Sequence, residues 1–260
     1  MGGRGAKSSI SIMGSGTPLP PPATNNATQV DVDDTQVASA FSADYDKFMA
    51  MTDDEKADFI SANIKSDVPD HLAKNDFQRF VYNSGLNEKP TIVDDATLDT
   101  MTGTEIFRTV NSVYDRQKDL SYTGDQIARQ VMAGRVTRVS DNGGSVYGRG
   151  IYFADSYGSS TSYGGTRGDV KKTAVMRGKL NNNAKVVNYH TASQGVSKEI
   201  SSGSKLGKVL RKADSDSQVS IYAMAKGFNV ISSGHGYLNV LNRNAITMSK
   251  DVKPKGSSWN

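Results

Sequence analysis

"YGRGIYFADSYGSSTSYGG", residues 147–165, sets four tyrosines, five glycines and four serines around one short apolar core, Ile151-Tyr152-Phe153-Ala154. A plain turn has no use for rigid aromatics at both ends of a flexible serine run. Glycines at 148 and 150 make a tight turn, and "GIYFAD" after them reads as a strand. "SYGSSTSY" reads as a loop leading into a helix whose first turn carries Tyr163. Tyr152 and Tyr163 stand eleven residues apart, and the intervening loop can bring their rings face to face. Such a slot suits a flat aromatic ligand, a cationic one above all, because ring faces attract positive charge. Ser160, one helical turn before Tyr163, offers a hydroxyl to an amide at the slot's edge. A flat, cationic, amide-bearing ring describes the nicotinamide of NAD.

Outward from this stretch, strands and helices mix without regular alternation, which predicts an α+β fold. "GTEIFRTVNSV" reads as a strand on Ile106, Phe107 and Val110, and "KKTAVMRGKL", "AKVVNYH", "FNVIS", "YLNVL" and "AITM" read as strands too. "TGDQIARQVMAG" reads as a helix with Thr123 and Gln126 in a capping box and Gly134 at its end. "SQVSIYAMAKG" reads as a helix closing at Gly227. "SQGVSKEISSGSKLGKVLRKADSD" is ambiguous, its second part helical. Before Pro90 the periodicity is helical. Val37, Phe41, Tyr45 and Phe48 share one face, Leu72, Phe77, Phe80 and Val81 another, and Thr52 with Glu55 forms a capping box. This aromatic stripe reads as core. The expected layout is a flexible Gly/Pro-rich arm over 1–35, a helical segment over 36–94, an α+β domain over 95–250 and a tail over 251–260.

Composition removes several function classes. The chain has 260 residues, no cysteine and three histidines, which excludes disulfides and thiolate chemistry and argues against a metal site. No apolar run reaches a membrane span or a signal-peptide core, so a soluble intracellular protein is expected. Acidic residues crowd 31–67 and basic ones prevail over 129–212, within a net charge of +4. No basic-aromatic stripe accompanies them, which argues against nucleic acid. "GSKLGKVL" has one residue too few for a phosphate-binding P-loop and a valine where magnesium needs a hydroxyl. "GRG" at 148–150 precedes a strand where a dinucleotide fingerprint follows one. Both read as turns.

The spacing "GxGIYFAD…S…Y" resembles that of the ADP-ribosyltransferases, the poly(ADP-ribose) polymerases in particular. The resemblance implies a split β-sheet core, NAD as substrate, and a nicotinamide sandwich of Tyr152 and Tyr163 with Ser160 on the carboxamide. "IFRTV" is similar to the first strand of the arginine-bearing, toxin-like branch, which implies that Arg108, with Thr109 beside it, binds NAD. "GFNVISSGHGYLNVLNRNAI" resembles the closing strands of bacteriophage-encoded relatives, and "MGGRGAKSS" the start of some phage gene products. Together these imply an enzyme that carries ADP-ribose to a host macromolecule, in the bacterial cytoplasm or from the virion, with virion proteins as further partners. The resemblance covers roughly residues 95–250.

ADP-ribosyl transfer proceeds through an oxocarbenium-like transition state, as glycoside hydrolysis does. Rigid stacking fixes the leaving group, an arginine grips the pyrophosphate, and a carboxylate near the ribose steadies developing positive charge. The family's glutamate falls here at Gly236, and no acid lies between Asp216 and Asp251. His235 cannot supply negative charge, and Asn239 shares a face with Tyr237. Slow or absent turnover on water is therefore expected, with Gly236→Glu raising it. Alternatives stay open at each position: Tyr152 and Tyr163 as core residues, Ser160 as a helix N-cap, Arg108 as an edge residue reaching solvent. A degenerate NAD binder and a virion structural or cargo protein remain beside the enzyme.

Overall fold

Capping residues and an apolar stripe begin the described chain. The computed structural model describes residues 43–65, 73–86, 88–115, 120–135, 146–163 and 173–259, which lie in one unit. The arm over 1–35, and Val37, Phe41 and Leu72, fall outside the described residues. Helix α1 (Ala43–Ala50) leads to α2 (Asp53–Ile64), where Thr52 and Glu55 cap reciprocally, and to α3 (Asp76–Ser84), which stops at left-handed Gly85. The expected aromatic stripe is core: Phe48 and Phe80 are fully buried, their rings 5.9 Å apart.

After these come β1 (Thr91–Val93), α4 (Asp95–Thr100), β2 (Glu105–Val110), β3 (Val113–Asp115), β4 (Leu120–Tyr122), α5 (Gly124–Met132), β5 (Ile151–Ala154) and α6 (Tyr157–Tyr163). The remainder is β6 (Ala174–Leu180), β7 (Val186–Asn188), α7 (Tyr189–Ser202), α8 (Lys205–Lys212), α9 (Ser215–Ala225), β8 (Val230–Ser232), β9 (Tyr237–Val240), a 3-10 turn (Arg243–Ala245) and β10 (Ile246–Pro254). Among the described residues one mixed sheet runs β1-β10-β6-β2-β5-β9-β8-β7, and β3 pairs with β4 apart from it. The fold is α+β.

Two hydrophobic clusters hold it. In one, α5 packs Ile127 and Val131 on Ile106, Val110, Ile151 and Phe153 of the central strands. In the other, α1–α3 pack against α7–α9 and the β7–β8 end of the sheet. The described helices α1–α3 are therefore not a separate segment, because their apolar stripe is buried by helices a hundred residues further on. The boundary at 94 also fails at the sheet, where β1 pairs in parallel with β10, Thr91 opposite Thr247. The 251–260 tail is shorter than expected. A register shift between Met248 and Val252 absorbs the polar Lys250 and Asp251, and β10 continues to Pro254 opposite Ala174.

The ambiguous stretch is helical throughout. Gly203, at φ 71°, closes α7, and Ser204 caps α8 by accepting from Gly207 N–H at 2.9 Å, so "GSKLGKVL" is a helix junction. Among the described residues no helix is long and apolar enough to cross a membrane.

Candidate functional site

β2 is central, and its two long neighbours treat it differently. It pairs with β6 along its whole length, Glu105 opposite Lys179 to Val110 opposite Ala174. With β5 it is in register only at Phe107 opposite Ala154. β5 meanwhile pairs fully with β9, Ile151 opposite Val240 to Ala154 opposite Tyr237. The sheet is thus loosely closed between β2 and β5, and Arg108, Thr109, Tyr152 and Ser160 lie along that seam.

Arg108 is 8% exposed in a central strand, which rules out the edge reading. A buried guanidinium needs acceptors, and its Nη1 donates to the carbonyl of Tyr152 at 3.4 Å. One residue on, Thr109 Oγ1 and Ser160 Oγ share a hydrogen bond of 2.9 Å. Successive strand side chains point to opposite faces, so Phe107 and Thr109 face away from the α5 cluster. There α6 lies on them, with Tyr157 edge-on to Phe107 at 6.1 Å. Two separate contacts thus join four of the five expected site residues: Arg108 with Tyr152, and Thr109 with Ser160.

Helix α6 starts earlier than the sequence suggests. Ser156 Oγ accepts from Ser159 N–H at 3.2 Å, the bond of an N-cap, and Ser156 O accepts from Ser160 N–H. This cap nucleates the helix ahead of the serine run. Ser160 is therefore inside the helix and 5% exposed, not an N-cap. Tyr163 ends the helix instead of opening it, and its side chain lies outside the described residues.

Tyr152 is held by its own turn. Its hydroxyl donates to Gly148 O at 2.7 Å and accepts from Tyr147 N–H at 2.9 Å. Its ring lies beside that of Tyr147, centroids 6.4 Å apart, and Tyr147 meets Tyr189 edge-on at 5.4 Å. Asn239, opposite Tyr152 on β9 and 1% exposed, donates from Nδ2 to Tyr147 O at 2.9 Å. Its Oδ1 lies where a side chain at Gly150 would begin, so that position accepts only glycine. Arg149 leaves the turn toward α9 and pairs with Asp216 at 2.6 Å. Tyr147 and Asn239 brace the Tyr152 wall. Tyr147 was not singled out by the sequence, because the spacing of five from Tyr152 gains meaning only once the glycine turn folds back.

At the far end of β5, Asp155 N–H donates to Gly236 O at 2.9 Å. Gly236 sits at φ 82°, and a Cβ there would meet Asp155 Oδ1 at 2.8 Å and Oδ2 at 3.1 Å. A glutamate at 236 is therefore disfavoured twice, by backbone and by space. His235 is in the exposed turn before β9, its N–H on Ser233 Oγ. Among the described residues no cluster of three or more His, Asp or Glu is placed to hold a metal ion. Set against protein-family models, curated proteins and solved structures, the chain matches none of them.

Proposed function

We propose that the protein is an NAD-dependent ADP-ribosyltransferase with its nicotinamide slot at the β2–β5 seam. The observation that carries this reading is the meeting of distant motif residues there: Arg108 on the Tyr152 carbonyl, and Thr109 on the Ser160 hydroxyl. A chain that used these residues only for packing has no need to bury an arginine and a hydroxyl pair beside one strand gap, since each costs free energy unless satisfied. In this reading Tyr152, fixed through its hydroxyl, is one rigid wall, and Tyr163 at the end of α6 is the other. Ser160, held by Thr109, orients the carboxamide, and Arg108, on the other face of β2, braces the Tyr152 wall through its carbonyl. The loose closure between β2 and β5 supports the split core of this reading. The resemblance to bacteriophage-encoded members makes a bacterial host macromolecule the proposed acceptor, reached in the host cytoplasm or from the virion.

Ligand binding to the folded state alone raises its stability by mass action. NAD or nicotinamide should raise the melting temperature of the wild type, and Tyr163→Ala, still folded, should lose the shift. Nicotinamide release should follow when wild type meets NAD and a bacterial lysate. Equal shifts in wild type and Tyr163→Ala would remove the slot from consideration. A binder without turnover is the second reading, favoured by the missing acid at Gly236.

A further inference from the structure

The acid missing from β9 in sequence has a counterpart beside it in space. β5 and β9 run antiparallel with Tyr152 opposite Asn239 and Ala154 opposite Tyr237, so Asp155 falls opposite Gly236. The backbone bond from Asp155 N–H to Gly236 O fixes that register one step past the strands. Both carboxylate oxygens of Asp155 then crowd the point where a side chain at 236 would begin. A glycine at left-handed φ leaves that volume to its neighbour.

Asp155 is also the right kind of acid. It stands three residues after Tyr152 and immediately before the Ser156 cap of the helix that carries Ser160. It is exposed, and among the described residues no ion pair or side-chain hydrogen bond engages its carboxylate. The other acids around the central strands are committed: Asp216 to Arg149, and Glu105 and Asp99 to Arg177.

We propose that Asp155 is the catalytic carboxylate of this site, presented from the end of β5 to the ribose of NAD. The assignment rests on the transferase reading above. In the step, the C1′–N bond breaks and its electron pair passes to the ring nitrogen, so nicotinamide leaves neutral. The positive charge left on C1′ and the ring oxygen is stabilised by the Asp155 carboxylate. An oxygen of water or of the acceptor then bonds to C1′, and its proton passes to Asp155 and on to solvent.

The test uses the full chain. Asp155→Asn keeps size and shape at an exposed position, and its ligand-free melting curve reports whether the fold is kept. Two readouts are taken with NAD: the melting shift, and nicotinamide release with and without bacterial lysate. The expected result is an unchanged shift with release lowered about 100- to 1000-fold, the usual loss for one preorganised stabilising group. Asp155→Glu should recover part of the release. Unchanged release in Asp155→Asn overturns the assignment and leaves the transferase reading intact. Loss of shift and release together also overturns it, since that is the mark of a binding role. A wild type that binds NAD and releases nothing in either condition overturns it as well. A wild type with neither shift nor release sinks the transferase reading, and Asp155 falls with it.

Discussion

Gly236 is a position where one atom decides. Its φ of 82° and the 2.8 Å approach of Asp155 Oδ1 penalise any side chain by separate routes. Gly236→Ala should lower stability by on the order of 1 kcal/mol or more, because alanine at positive φ is strained. In an Asp155→Ala background the same change should cost less, since the crowding is gone. Urea midpoints of the four proteins give the coupling directly, and strict additivity would mean that the two residues do not meet. Gly236→Glu, which the sequence presents as a way to install an acid, should destabilise for the same reasons. The strands that carry Arg108 and Tyr152 were legible in the sequence, because short apolar patterns mark them. Asp155 was not legible as Gly236's neighbour, because the relation exists only through the pairing of two strands eighty residues apart.

Among the elements, α3 and α9 cap one another. Asp76 Oδ2 accepts from Asp214 N–H at 2.7 Å, and Asp214 Oδ2 accepts from Asp76 N–H at 2.8 Å. Ser217 adds to this, accepting from Phe77 N–H at 3.0 Å while Asp214 Oδ1 takes Ser217 N–H. Each carboxylate satisfies donors that a helix start otherwise leaves open. Asp214→Ala should cost about 1–2 kcal/mol, the upper part of the range for an N-cap, because α9 loses its cap and α3 loses the acceptor of Asp76 N–H at once. Asp94→Ala, which caps only the exposed α4 through Thr97 N–H at 2.7 Å, should cost less. A smaller loss for Asp214→Ala than for Asp94→Ala in chemical denaturation would remove the interlock. Capping boxes at Thr52 and Thr123 were readable from the chain because their partners are three residues away. β1 and α7 were not. Three residues become a strand only because β10 accepts them, and the serine-rich α7 is a helix only because α8 and α9 bury one of its faces.

For the whole molecule, the uneven charge along the chain is partly spent internally. Acidic α2 meets the basic half through Asp58 with Lys205 at 2.5 Å and Asp53 with Lys226 at 2.7 Å. Lys226 also reaches Glu199 on α7 at 3.0 Å, tying three helices together. The Ser204 hydroxyl, and after it Lys226, hold the Glu199 carboxyl below its usual value against the opposing effect of burial. The Lys226 hydrogen bond likewise lowers Asp53. A depressed carboxyl gives stability that is complete above its unfolded value, about 4.3 for glutamate, and lost as pH falls through the folded one. Wild type should therefore lose urea resistance more steeply below about pH 4.5 than Glu199→Gln does, the variant being less stable at neutral pH. Parallel pH profiles would show that the cluster contributes nothing. One consequence of the sheet order concerns synthesis. β10 lies between β1 and β6, so a ribosome that has released residues up to 240 has already made the whole helical bundle and both sides of the seam. Yet β1 then has no described strand to join, and β6 presents an open edge. Pairing this remote in sequence is slow to form, and an open edge is a template for the wrong partner. The nascent chain must wait, half assembled, for residues 246–254, and a chain cut short before them should expose the β6 edge to wrong partners.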